Sequence, residues 1–279
     1  MRLLLSIISI FILALPSYAF EPDKHKEFSH RAIEGYQACT GRSIPSPYIY
    51  AFARGSARED DPTFHRALNW HFYNRDKKIG HYWKFFLYCN GSNELIYNER
   101  LEALVKMIAR KKPLEDIYEQ AGRVAHHIQE MSSPSHVAPI YHVYEDRFDI
   151  YAPVNLPVFD EMTICEDLKG HRYKPSELLE QAAQRTLKAT ESPVIFGDGK
   201  TVEGEIWMNF WGGPEDQDLA GFKTYGKYGN VFGKTPPCRS ESCGAYDKTV
   251  YDRFYHECYR RAVKDTMRLL IYLDQEVAK

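Results

Sequence analysis

Helical periodicity limits what this chain can fold into more than any other feature. Apolar residues recur at helical spacing, among strong helix formers, in segments near 24–38, 95–111, 114–133, 175–190 and 246–277. The last sets Val263, Met267, Leu270, Ile271 and Leu273 within a long charged frame. Alternating runs of β-branched residues are scarce. The fold class expected is all-α: one multi-helix domain over residues 20–279, with no internal repeat. Between about 191 and 244 the chain turns rich in Gly, Pro and aromatics, as in GEIWMNFWGGP and GFKTYGKYGNVFG. That stretch reads as a long irregular loop, functional or disordered. A hydrophobic share of 44% suits a packed core, and 36 Lys and Arg against 38 Asp and Glu leave a net charge of -2. Such a balance advertises no polyanion, so no stable nucleic-acid partner is expected.

The first residues read as a secretory signal peptide. Met1 and Arg2 give a positive start, residues 3–15 form an apolar run, and Pro16 ends it. Ser17, Tyr18 and Ala19 then place small residues at the -3 and -1 positions of a cleavage site. The run is short for a bilayer span. Cleavage after Ala19 would make Phe20 the mature N-terminus and send the protein to the periplasm or the medium. Six cysteines (Cys39, Cys89, Cys165, Cys238, Cys243 and Cys258) then suggest up to three disulfides, with Cys238 and Cys243 the easiest local pair. A zinc ribbon would need paired C-x2-C knuckles, which the sequence lacks.

The chain holds 11 histidines, and their spacing matters more than their number. The densest group lies in AGRVAHHIQEMSSPSHVAPIYHVYED. His126 and Glu130 stand four apart on a predicted helix and so share a face, while Val124, Ile128 and Met131 take another. His136 follows a Ser-Ser-Pro break, and His142 and Asp146 repeat the i, i+4 pairing. Zinc takes neutral imidazole and carboxylate oxygen at about 2.0–2.2 Å, and each such pair presents two ligands together. His127, three residues from Glu130, is read as facing solvent or making an outer hydrogen bond.

Upstream, FEPDKHKEFSHRAI holds His30, and GSAREDDPTFHRALNWHFYN holds Asp60, Asp61 and His71. The ordered series resembles the bacterial zinc-dependent phospholipases C, which share a fold with the fungal single-strand-specific zinc nucleases. The residues that carry the resemblance are Phe20, the DKHKE of 23–27, Ser29-His30, Gly55 before Asp60, HFYN from His71, His126-x3-Glu130-x5-His136, and His142-x3-Asp146. It covers roughly residues 20–150. Phe20 stands where the family has Trp, Glu130 where it has Asp, and Asn74 where it has Asp. Only VAPIY separates His136 from His142, without the Gly-Gly stretch usual in the nucleases.

The resemblance implies three zinc ions in one cleft. Asp60, His71, His126 and Glu130 would hold the first, and His136, His142 and Asp146 the second. Glu130 would bridge to a third, completed by His30 and by the backbone amine and carbonyl of Phe20. It also implies hydrolysis of a phosphatidylcholine-like phospholipid to diacylglycerol and a phosphorylated head group. Clustered zinc neutralises phosphoryl charge and lowers the pKa of water to about 7. Asp60 is the expected general base, with Asp61 its competitor, and Glu21 a candidate contact for a cationic head group. Trp207, Phe210, Trp211, Phe222 and Tyr225 would either dip into a lipid interface or pack on the helical core. The alternatives are a single-strand nuclease on the same site, or a zinc-binding envelope protein without activity.

Overall fold

The computed structural model describes residues 20–60, 71–73, 81–84, 87–90, 92–140, 146–157, 161–168, 170–196, 199–213, 222–234 and 248–279. The fold is mostly helical, as expected. In chain order the longer helices are α1 (Pro22–Thr40), α2 (Ser46–Arg58), α3 (Asn93–Ala109) and α4 (Leu114–Glu130). A single turn, α5 (Pro134–Val137), precedes α6 (Glu161–Leu168) and α7 (Pro175–Thr190). After another single turn, α8 (Met208–Trp211), the chain ends in α9 (Lys248–Val277). Proline starts several of these helices, where its missing N–H costs nothing: Pro22 opens α1 and Pro175 opens α7. Gly41 ends α1 at φ 68°, a left-handed cap whose N–H reaches Gln37 O.

Two short antiparallel hairpins qualify the all-α expectation. β1 (His81–Lys84) pairs with β2 (Leu87–Asn90) in the register His81 to Asn90. β3 (Pro193–Ile195) pairs with β4 (Thr201–Ile206) across an irregular register. The second hairpin and α8 fall inside the stretch expected to be a structureless loop, so its described part is ordered by the core it covers. Trp207, Phe210, Trp211 and Phe222 are buried, and Trp207 stacks on Phe254 of α9 at 4.3 Å. Core packing, not a lipid interface, accounts for these four. Tyr225 is half-buried, and its hydroxyl donates to Asp146 Oδ2 at 2.8 Å.

The core lies where α9 packs on α1, α4 and α7. Buried Leu269, Leu270 and Leu273 of α9 join Phe28, Ile33, Val124 and Ile128, and each such side chain contributes about 1.5–3 kcal/mol on leaving water. One disulfide ties Cys39 of α1 to Cys165 of α6 across 126 residues. Cys258 is a buried free thiol in the core, which leaves at most two disulfides rather than three. Cys238 and Cys243 lie outside the described residues. Among the described residues no helix is long and apolar enough to cross a membrane.

α2 and α4 cross at unusually short range, and this crossing places the site. A Cβ built on Gly55 would lie 2.0 Å from Glu119 O, and one on Gly122 2.0 Å from Phe52 O. Two glycines facing opposite backbones let the helices touch main chain to main chain. The end of α2 is thereby set beside the last turns of α4.

Candidate metal centre

Four buried side chains from three helical segments converge in the middle of this packing. His25 comes from α1, Asp60 from the chain just past α2, and His126 and Glu130 from the last turn of α4. One ligand atom from each lies within 4.8 Å of the others. His126 Nε2 is 3.1 Å from Glu130 Oε1 and 3.6 Å from Asp60 Oδ1. His25 Nε2 is 3.4 Å from Asp60 Oδ2 and 3.5 Å from Glu130 Oε1. His71, in the segment 71–73, brings Nδ1 within 3.5 Å of Glu130 Oε1 and 3.1 Å of His126 Nε2.

The hydrogen bonds behind the rings fix which nitrogen faces inward. A backbone carbonyl only accepts, so the 2.8 Å contact between His126 Nδ1 and Ser56 O puts the proton on Nδ1. Gln129 donates from Nε2 to Ser29 Oγ and Thr266 Oγ1, so its Oε1 accepts from His25 Nδ1 at 2.8 Å. Both imidazoles therefore turn a lone pair on Nε2 toward the carboxylates. Burial lowers the His25 pKa to about 4, with the neighbouring His126 adding to it, and burial lowers His126 too. Burial works against the charged form of Glu130, yet His136 holds its carboxyl well below the usual range. The result at neutral pH is lone pairs facing carboxylate oxygens, with His25 Nε2 and Glu130 Oε1 fully buried and without hydrogen-bond partners among the described residues. With the His126 proton on Nδ1, His71 Nδ1 donates to His126 Nε2, and the remaining converged acceptors are costly unless a cation lies between them. His25, Asp60, His126 and Glu130 can hold a metal ion, and imidazole bound through an outer carbonyl or amide is the usual ligand geometry.

Other candidates divide. Glu130 Oε2 lies 2.6 Å from His136 Nδ1, so this carboxylate serves His136 on one side and His25, His71 and His126 on the other. His136 sits on α5, with Nδ1 also 2.9 Å from His71 O. Asp146 is buried; it accepts from Phe148 N on Oδ1 and from Trp211 Nε1 and Tyr225 on Oδ2. Phe20 is buried, its ring edge-on to His25 at 5.9 Å, which sets residue 20 at the wall of the cluster. His142, Asp61 and Asn74 lie outside the described residues.

The structure adds His25 to the cluster, and His30 is half-buried further along α1. Helical spacing carried the signal, because His25 shares the buried stripe of Phe28, Ser29 and Ala32 while His30 falls off it. His127 does not face solvent. It is fully buried, with Nε2 3.9 Å from Glu59 Oε2. Glu59 is itself held by Arg100 at 2.8 Å and by Arg123. Glu21 is exposed and lines a cavity of about 430 Å³ with Asp23, Lys24, Glu27 and Asp149.

Comparison of the chain with family profiles, curated proteins and solved structures finds no match.

Proposed function

We propose that this chain is an exported zinc-dependent phosphodiesterase of the phospholipase C type, acting on a phosphatidylcholine-like phospholipid. The observation that carries the reading is the buried convergence of His25, Asp60, His126 and Glu130, with His71 beside it. Imidazole with carboxylate is a donor set that suits zinc. The order of these residues along the chain, and the resemblance it carries, points to phosphoester chemistry. Zinc held there supplies charge neutralisation for a phosphodiester and lowers the pKa of water.

The roles of the chain's own residues follow. His25, His71, His126, Asp60 and Glu130 would hold the metal. Glu130 faces imidazoles through both oxygens and is the natural bridge between ions. His136, His142 and Asp146 would hold a second ion, and the backbone of Phe20 would join His25 at a third, for three zinc ions per chain. Asp60 would orient the attacking water and take its proton as the bond from phosphorus to the diacylglycerol oxygen breaks, and that proton would then pass to the departing oxygen to give the free diacylglycerol hydroxyl. Export, with cleavage after Ala19, would free the Phe20 amine to act as a ligand.

The test offers phosphatidylcholine vesicles and single-stranded DNA in parallel to the zinc-loaded protein begun at Phe20. Release of phosphocholine and diacylglycerol is expected, with the DNA left intact. Turnover of DNA alone would replace the reading with a nuclease. Turnover of neither, with zinc bound, would replace it with a zinc-binding protein.

A further inference from the structure

His127 has no role in the scheme above, yet its surroundings are those of a ligand. It is fully buried, and among the described residues neither Nδ1 nor Nε2 has a hydrogen-bond partner. Leaving a buried polar group unpaired is costly, and an apolar side chain of similar size would avoid that cost. Its ring centroid lies 5.1 Å from that of His126 and 5.2 Å from that of His71, nearly perpendicular to both. One nitrogen from each of the three rings lies within 4.8 Å of the others. Behind His127 stands Glu59, with Oε2 3.9 Å from Nε2 and its carboxylate fixed by Arg100 and Arg123. An anchored carboxylate behind an imidazole is the usual outer support of a ligating histidine.

We propose that His71, His126 and His127 form a second seat for a transition-metal ion, beside the seat of His25, Asp60, His126 and Glu130. This rests on reading the cluster as a metal centre. The two seats differ in chemistry. One offers three imidazoles; the other offers two imidazoles and two carboxylates. Three imidazoles suit copper and nickel, carboxylate oxygen suits manganese and magnesium, and zinc accepts both kinds of donor. His126 belongs to both seats, and its Nδ1 is committed to Ser56 O. Its Nε2 serves one ion at a time, so the seats exclude one another. Nitrogen-preferring ions take the three-imidazole seat, and oxygen-preferring ions take the mixed one.

Calorimetric titration of the chelator-stripped protein with Ni²⁺ and, separately, with Mn²⁺ tests this. His127→Leu should weaken Ni²⁺ binding at least about tenfold and leave Mn²⁺ binding within about twofold. Unchanged Ni²⁺ binding would overturn the proposal. So would an equal loss of both ions, because His127 would then only position the mixed seat. A second comparison covers the case in which His127→Leu fails to fold. The Asp60→Asn/Glu130→Gln variant lacks the charged seat and should still bind one Ni²⁺, and His127→Gln added to it should abolish that binding. Absence of Ni²⁺ from the first of these variants, or its persistence in the second, overturns the proposal. A wild-type chain that binds neither ion removes the metal centre and this seat together, whereas metal binding without phosphodiesterase activity removes only the proposed function.

Discussion

Gly122→Ala tests how the helix crossing builds the site. An added Cβ would lie 2.0 Å from Phe52 O and 2.9 Å from Ser56 N, and ordinary contact begins at 3.4 Å. Restoring contact from 2.0 to 3.4 Å requires α2 and α4 to part by about 1.4 Å. Both obstacles are backbone atoms, so no rotamer change relieves them. Helix propensity alone favours Ala over Gly by about 1 kcal/mol. Against that, overpacking costs about 1–3 kcal/mol or more. The parting also stretches the 2.8 Å bond between His126 Nδ1 and Ser56 O beyond hydrogen-bond range, a loss of about 1 kcal/mol. Packing wins, and the variant should be less stable by about 2 kcal/mol. Zinc affinity should fall with stability, because ligands displaced by about 1 Å no longer meet one ion. Urea unfolding of the chelated protein reads the first effect and equilibrium dialysis with zinc reads the second. A variant as stable as wild type, with unchanged zinc affinity, would refute the reasoning.

Three further outcomes are expected. His25→Ala should lose zinc and activity while His30→Ala keeps both, and equal effects on dialysis would remove His25 from the ligand set. In the chelated protein, His25 has a pKa of about 4 when folded and about 6.5 when unfolded. The unfolded chain therefore binds the extra proton first, and stability should fall as pH drops from about 6.5 to 4, by about 1.4 kcal/mol per unit from this group. His126 and His127, lowered by burial, act in the same direction; a flat urea midpoint across that window would contradict the buried neutral imidazoles. Replacing Cys39 and Cys165 by Ala should cost about 2–5 kcal/mol, near the upper end because the bridge closes a loop of 126 residues, and a melting temperature unchanged from wild type would show that the bridge carries no such constraint.

The parts of the site written in local spacing were legible in the sequence. His126 and Glu130 are four apart, and the helix brings Nε2 to 3.1 Å of Oε1. His25 lies on the buried face of α1 and His30 off it, and the apolar stripe of Phe28 and Ala32 marks that face in the sequence. α2 escaped notice because SPYIYAFARGSAR mixes Tyr, Ser and Gly, which are weak helix formers. Its helix is held by close packing on α4 through Gly55 and Gly122, a long-range fact that no local pattern displays. The same holds for the aromatic segment, whose fate turns on partners such as Phe254, and for the Cys39 to Cys165 pairing. An adjacent pair of histidines on a helix normally has one member outward, but the last turn of α4 is enclosed on every side and buries His127 as well.

Metal content tests the central claim most directly. The protein begun at Phe20 and purified without chelator should carry zinc on elemental analysis, close to three ions per chain. Anomalous scattering at the zinc edge should place one of them among His25, Asp60, His126 and Glu130. A chain that takes up no zinc, even when dialysed against it, with these four side chains packed as described, would contradict the account.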